Sequence, residues 1–143
     1  MRKFFMLSTI LLVVSCSGYQ LTFNERVIYA PATIYTAYSV QDSALYNCLS
    51  QTLSDKNISK AEQLKTLNCA YAGITDLTGL DHFKSLQTIN LSNNRIADIK
   101  TLLMMGPFEN INLEANPSLP CKDLKSLQEL VSGIFSPPKE CQQ

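Results

Sequence analysis

The sequence predicts an α/β solenoid of about three coils, with a helical cap at its amino end and another at its carboxy end. Three observations predict it. One apolar pattern is written three times, with a 22-residue period, between Leu64 and Leu130. A period in the low twenties marks stacked units that each supply a strand and a return segment. Within each copy an alternating pair reads as a short strand, followed by apolar residues at threes. A one-sided helical stripe precedes the first copy, and another follows the last.

The second copy is the most regular: Leu86, Ile89, Leu91, Asn94, Ile96, Ile99, Leu102 and Met105. One period earlier the same slots hold Leu64, Leu67, Cys69, Ala72, Ile74, Leu77, Leu80 and Phe83. One period later they hold Phe108, Ile111, Leu113, Asn116, Ser118, Cys121, Leu124 and Leu127. Ala72 departs from the Asn slot, and Ser118 is a polar exception with Leu119 beside it. The coils are therefore 64–85, 86–107 and 108–129, and Leu130 opens a fourth copy that stops at once. In the strand, Ile89 and Leu91 point one way while Thr88, Asn90 and Ser92 point the other. Asn94 and Asn116 stand where the chain leaves the strand. A buried amide there satisfies backbone groups of the turn and of the neighbouring coil. One coil alone cannot bury its apolar edge, and about three stacked coils are needed for a stable shared core.

On this L-x-x-L-x-L-x-x-N spacing, residues 64–130 resemble bacterial leucine-rich repeats of the 22-residue, internalin-like type. The resemblance implies the leucine-rich-repeat fold. It names no ligand, because the scaffold hosts many unrelated binding functions.

At 143 residues the chain has a one-domain length. Its 12 basic and 12 acidic side chains balance, and loss of Arg2 and Lys3 leaves 10 against 12. No basic patch points to a nucleic-acid partner. Residues 1–15 read as a lipoprotein signal peptide. Arg2 and Lys3 form its positive start, and Phe4 to Val14 is apolar apart from Ser8 and Thr9. That run falls far short of the roughly 20 residues a spanning helix needs. Val13-Val14-Ser15-Cys16 resembles a bacterial lipobox: a branched apolar residue, a tolerant position, a small residue, then the modified Cys. By that resemblance Cys16 takes a diacylglyceryl group, heads the mature chain and anchors it stably to the membrane. The alternatives are an ordinary secretory signal that carries a Cys, or an uncleaved anchor. The expected location is an exported, membrane-anchored lipoprotein. Ser17 after the Cys favours the outer over the inner membrane if the cell is Gram-negative.

Residues 16–40 hold the lipidated Cys and an extended linker. The linker is unusually apolar, with Leu21, Phe23, Val27, Ile28, Tyr29, Ile34, Tyr35, Tyr38 and Val40. Its β-branched and aromatic content favours extended structure. A loosely packed linker is the preferred reading. The alternative is a strand added at the solenoid's edge, where Pro31 limits how central it can be. Residues 41–63 form the amino-terminal cap. Asp42 can cap a helix running to Leu53, with Leu45, Cys48, Leu49, Thr52 and Leu53 on one face. Ser54-Asp55-Lys56-Asn57 breaks that helix, and Ser59 with Glu62 resembles a capping box leading into the first coil. After the coils, Asp123 to Val131 reads as a helix with Leu124, Leu127 and Leu130 on one face. Gly133 ends it. Residues 131–143 form the carboxy-terminal cap tail, stiffened by Pro137-Pro138.

Setting Cys16 aside leaves four cysteines, an even number in an exported domain, which points to disulfides. Three pairings are open. Cys48–Cys69 and Cys121–Cys141 are preferred, because each joins a cap to the repeat beside it. The alternative for Cys69 is a small core residue in a Leu slot. No C-x-x-C occurs, and the sole histidine, His82, lies beside Asp81 on the convex segment. No metal and no cofactor are expected.

No G-x-S-x-G, phosphate-binding Gly loop or H-E-x-x-H is present. Asp81 next to His82 in sequence does not orient its ring as a triad carboxylate does. The sequence therefore points away from an enzyme. The candidate binding surface is the concave sheet: Thr66, Asn68 and Tyr71, then Thr88, Asn90, Ser92 and Asn93, then Asn110, Asn112 and Glu114. Asn68, Asn90 and Asn112 recur at one slot, as a polar ladder across adjacent strands. Such a ladder either binds a peptide, glycan or protein, or only stabilises the sheet through cross-strand pairs. The resulting reading is a lipid-anchored, non-catalytic interaction module of the cell envelope with a protein or peptide partner. The rival is a structural or assembly-accessory envelope lipoprotein that binds through its linker or convex side.

Overall fold

The computed structural model describes residues 21–29 and 33–142. The signal segment 1–15 and Cys16 lie outside the described residues. The chain divides into two compact units, one up to Pro31 and one from Ala32 on.

In the first unit, strand β1 (Leu21–Phe23) pairs antiparallel with β2 (Arg26–Tyr29). Asn24 and Glu25 join them at φ 48° and 61°. Two consecutive left-handed residues are what a tight two-residue hairpin turn demands, since that turn's twist matches the twist of the strands. Part of the expected extended linker is thus a hairpin.

The second unit is built on a parallel sheet in the order β3 (Thr66–Asn68), β4 (Thr88–Asn90), β5 (Asn110–Asn112) and β6 (Phe135–Ser136). The first three strands stack in the register of the repeat: Leu67 beside Ile89 beside Ile111. Those three side chains are buried, while their neighbours along each strand are half-buried or exposed. The fourth strand was not expected from the spacing. Ile111 pairs with Phe135, so the step is 24 residues instead of 22. The regular step would place Gly133 opposite Ile111. Gly133 instead donates its backbone N–H to the Glu109 carbonyl at 2.9 Å. A Cβ there would lie 2.6 Å from that carbonyl oxygen. The glycine is required by this close approach and does not end the preceding helix.

Helix α1 (Ser43–Asp55) begins at Asp42, whose Oδ1 accepts the Leu45 N–H at 2.9 Å. Its buried stripe is Leu45, Leu49 and Leu53, four apart, and all three join the core. Lys56, just past the helix, donates to the Thr66 carbonyl at 3.1 Å, on the strand that ends the sheet. The turn into the first coil is held by Gln63, not by Glu62. Gln63 Oε1 accepts from the Ser59 and Lys60 backbone nitrogens at 2.9 and 3.0 Å. The return segments hold a 3₁₀ turn at Leu80–His82, then α2 (Lys100–Met105) and α3 (Cys121–Gln128). Leu119 enters the core while Ser118 stays exposed.

Residues 33–40 do not behave as a linker. Ile34, Tyr35, Tyr38 and Val40 pack against the core. Tyr35 donates its backbone N–H to the Ile58 carbonyl at 2.8 Å. The rings of Tyr35 and Tyr38 meet Phe83 edge-on, at 6.0 and 5.3 Å between centroids. Such edge contacts add to the area these rings bury. The boundary of the packed unit therefore lies nearer Ala32 than Val40.

Asn94 and Asn116 are buried and bind one coil to the next. Asn94 Oδ1 accepts from Gly73 and Ile74 at 2.9 and 3.0 Å. Its Nδ2 donates to the carbonyls of Cys69 and Leu91 at 2.9 and 2.8 Å. Asn116 repeats the arrangement one coil on, with Ile96, Leu91 and Leu113. Each amide reaches back to the coil before it. The first coil has none before it, which explains why Ala72 is tolerated in that slot.

Candidate functional site

The sheet's polar rows come from the residues that alternate with the buried Leu67, Ile89 and Ile111. Thr66, Thr88 and Asn110 form one row in register, and Asn68, Asn90 and Asn112 form the next. In the second row each side-chain oxygen is already used. Asn68 Oδ1 accepts from the Ala70 N–H at 3.3 Å, Asn90 from Ser92 at 3.0 Å, and Asn112 from Glu114 at 2.9 Å. These are local turns closed by the side chain onto the backbone two residues on. They fix each amide in one orientation. Their nitrogens make no hydrogen bond among the described residues, so the row presents donors.

Asn110 is more fully engaged. Its Nδ2 donates to Thr88 Oγ1 at 3.3 Å, and its Oδ1 accepts the Ile134 N–H at 2.9 Å. It joins the third strand to the fourth. Ser92 does not contribute to the exposed face, because it is 6% exposed. Alternation runs through the buried Leu91, Ser92 is covered by its neighbours, and its carbonyl accepts the Tyr71 N–H at 3.1 Å.

Tyr71, Asn93 and Ala115 stand one period apart and share a left-handed backbone, at φ 59°, 57° and 53°. Asn tolerates this region through local hydrogen bonding, whereas for a bulky residue such as Tyr it is strained. Tyr71 is also 79% exposed. Next along this row is a cavity of about 250 Å³ lined by Asn93, Glu114, Ala115, Lys139 and Glu140. Lys139 and Glu140 were missed in the sequence. With the last step lengthened to 24 residues, Lys139 falls in the slot after Ala115, so the shifted period was the signal.

The disulfide partners Cys48 and Cys69 lie 5.8 Å apart at Cα, and Cys121 and Cys141 lie 5.2 Å apart. The first pair ties α1 to the end of β3, and the second ties α3 to the tail.

Charge is sparse around the sheet. Asp42 is a partly buried carboxylate at the start of α1. Partial burial pushes its pKa up, but hydrogen bonds from the Leu45, Thr75 and Asp76 backbones and the Thr75 hydroxyl outweigh this and hold it below the usual 3.8. Lys100 and Asp98 form an exposed ion pair at 2.9 Å. The Lys100 hydrogen bond lowers the Asp98 pKa, and the same bond raises that of Lys100. His82 Nδ1 sits 3.0 Å from the Gly79 carbonyl, with the side chain exposed. Among the described residues no group of three His, Cys, Asp or Glu side chains could hold a metal. Among them, too, no helix is long and apolar enough to cross a membrane.

No curated protein matches the chain. Residues 62–103 match the family described as Leucine Rich repeats, in two copies. The match spans β3, β4 and the Asn94 ladder between them, so the likeness to leucine-rich repeats covers the first two coils.

Proposed function

We propose that this is a lipid-anchored cell-envelope protein whose short leucine-rich-repeat domain binds a protein or peptide through the polar face of its sheet, without catalysis. The observation that carries the reading is the oriented row of Asn68, Asn90 and Asn112, whose oxygens are held by their own turns. Solubility alone does not call for three fixed donors in register. Tyr71 supports it. A bulky residue kept at φ 59° costs roughly 1–2 kcal/mol, and Tyr71 stays 79% exposed. Exposed aromatics of this kind are typical anchors at interfaces.

The lipid anchor rests on Val13-Val14-Ser15-Cys16, with Cys16 as the acylated residue and the outer membrane as the favoured location in a Gram-negative cell. In this reading α1 closes the amino end of about three coils. Helix α3, β6 and the tail to Gln142 close the other. The two disulfides fasten both closures.

A second reading places binding on the return side, as an assembly accessory. It is favoured by a cavity of about 330 Å³ lined there by Asp76, Asp98, Lys100 and Met104, among others. Met104 is 75% exposed. Affinity capture separates the two. The full chain, solubilised in detergent, should retain a defined partner that Asn90→Arg loses and Met104→Arg keeps. The opposite pattern would move the site to the return side.

A further inference from the structure

We infer that the β1–β2 hairpin is a second membrane contact, in which Leu21 and Phe23 enter the lipid headgroup boundary beside the acylated Cys16. The inference rests on the lipid-anchor reading and goes beyond it. Leu21 and Phe23 stand two apart on β1, whose pairing with β2 shifts register between Leu21 and Thr22. They are 50% and 67% exposed. A single exposed apolar residue is ordinary. Two on a strand of three residues leave β1 exposing more apolar surface than such a short strand ordinarily does. A lone two-stranded hairpin is also marginal in water, and it gains stability from a surface to lie on.

Chain length selects the surface. Leu21 follows Cys16 by five residues. Five residues reach about 17 Å at full extension. Acyl chains hold Cys16 at the headgroups, so β1 starts within that distance of the bilayer whatever path the intervening residues take. The headgroup boundary accepts Leu and Phe readily, and it supplies phosphates to a cation. The exposed Arg26, paired with Phe23 across the hairpin, is placed to use one.

The chain contains no tryptophan. Phe23→Trp therefore installs a single fluorescent reporter. The acylated full chain would be reconstituted into phosphatidylethanolamine–phosphatidylglycerol vesicles, with and without brominated acyl chains. Tyr71→Trp serves as the reference on the repeat unit, and Leu21→Trp repeats the test should Phe23→Trp misfold. The expected result is blue-shifted emission from the hairpin reporters and quenching by brominated lipid several-fold stronger than at position 71. Equal, weak quenching while the protein floats with the vesicles would overturn the hairpin contact and leave the anchor standing. That outcome covers a hairpin packed instead on protein or on a second copy. Loss of flotation with no acyl mass on Cys16 would overturn both.

Discussion

Asp42 and Thr75 are joined by two hydrogen bonds to one oxygen: Asp42 Oδ2 accepts the Thr75 backbone N–H at 2.9 Å and its hydroxyl at 2.8 Å. The other oxygen starts α1 through Leu45. One carboxylate therefore fastens the helix to the first coil's turn. Asp42→Ala should destabilise the fold by about 2 kcal/mol, read from the urea midpoint, since it removes a helix cap and orphans the Thr75 group together. The pKa of this carboxyl is lowered in the folded state. Its stabilisation is then present above the unfolded value near 3.8 and fades as pH falls through the folded value. Asp42→Asn should flatten that part of the acid-unfolding profile. An unchanged profile would remove Asp42 from the account.

Asn116 holds four backbone groups, those of Ile96, Leu91, Leu113 and Glu114. Asn116→Ala removes these bonds, and a loss of about 3 kcal/mol or more is expected by urea unfolding. Ala72→Asn should bring no comparable gain, because no earlier coil offers groups to bind. Equal and opposite effects would contradict the coil-to-coil role.

The left-handed row sets stability against binding. Ala115→Gly should stabilise by about 1 kcal/mol, because glycine adopts φ 53° without strain. Tyr71→Asn should stabilise for the same reason while weakening partner capture. A Tyr71→Asn variant that binds as well as the parent would show the aromatic ring to be idle.

The carboxy-terminal disulfide closes the least repetitive part of the chain. Replacing both Cys121 and Cys141 with Ser should cost about 3 kcal/mol, measured against the parent under oxidising conditions. The two proteins should converge once a reductant is added and the other disulfide opens as well.

Strand positions were legible because each coil solves one packing problem in one way. Leu67, Ile89 and Ile111 had to face inward at equal intervals, and Asn94 and Asn116 had to sit where the strand ends. Legibility failed wherever that problem changed. Strand β6 was hidden by the two extra residues that make its step 24 instead of 22. Ser92 reads as open from strand alternation, but its neighbours cover it to 6% exposure. Residues 33–40 carry no period that places them, and their contacts with Phe83 are distant in sequence. The Asp42–Thr75 link spans 33 residues. No local signal could announce it, although the capping role of Asp42 was visible. For the candidate site, the sequence located the Asn row but not the local turns that orient it.

The most direct test of the account is in-cell photo-crosslinking from position 90 on the sheet, with position 100 on the return side as the control, followed by mass spectrometry of the captured species. One defined protein or peptide is expected from position 90 and none from position 100. Capture from position 100 alone, or from neither, would contradict the polar sheet as the binding surface.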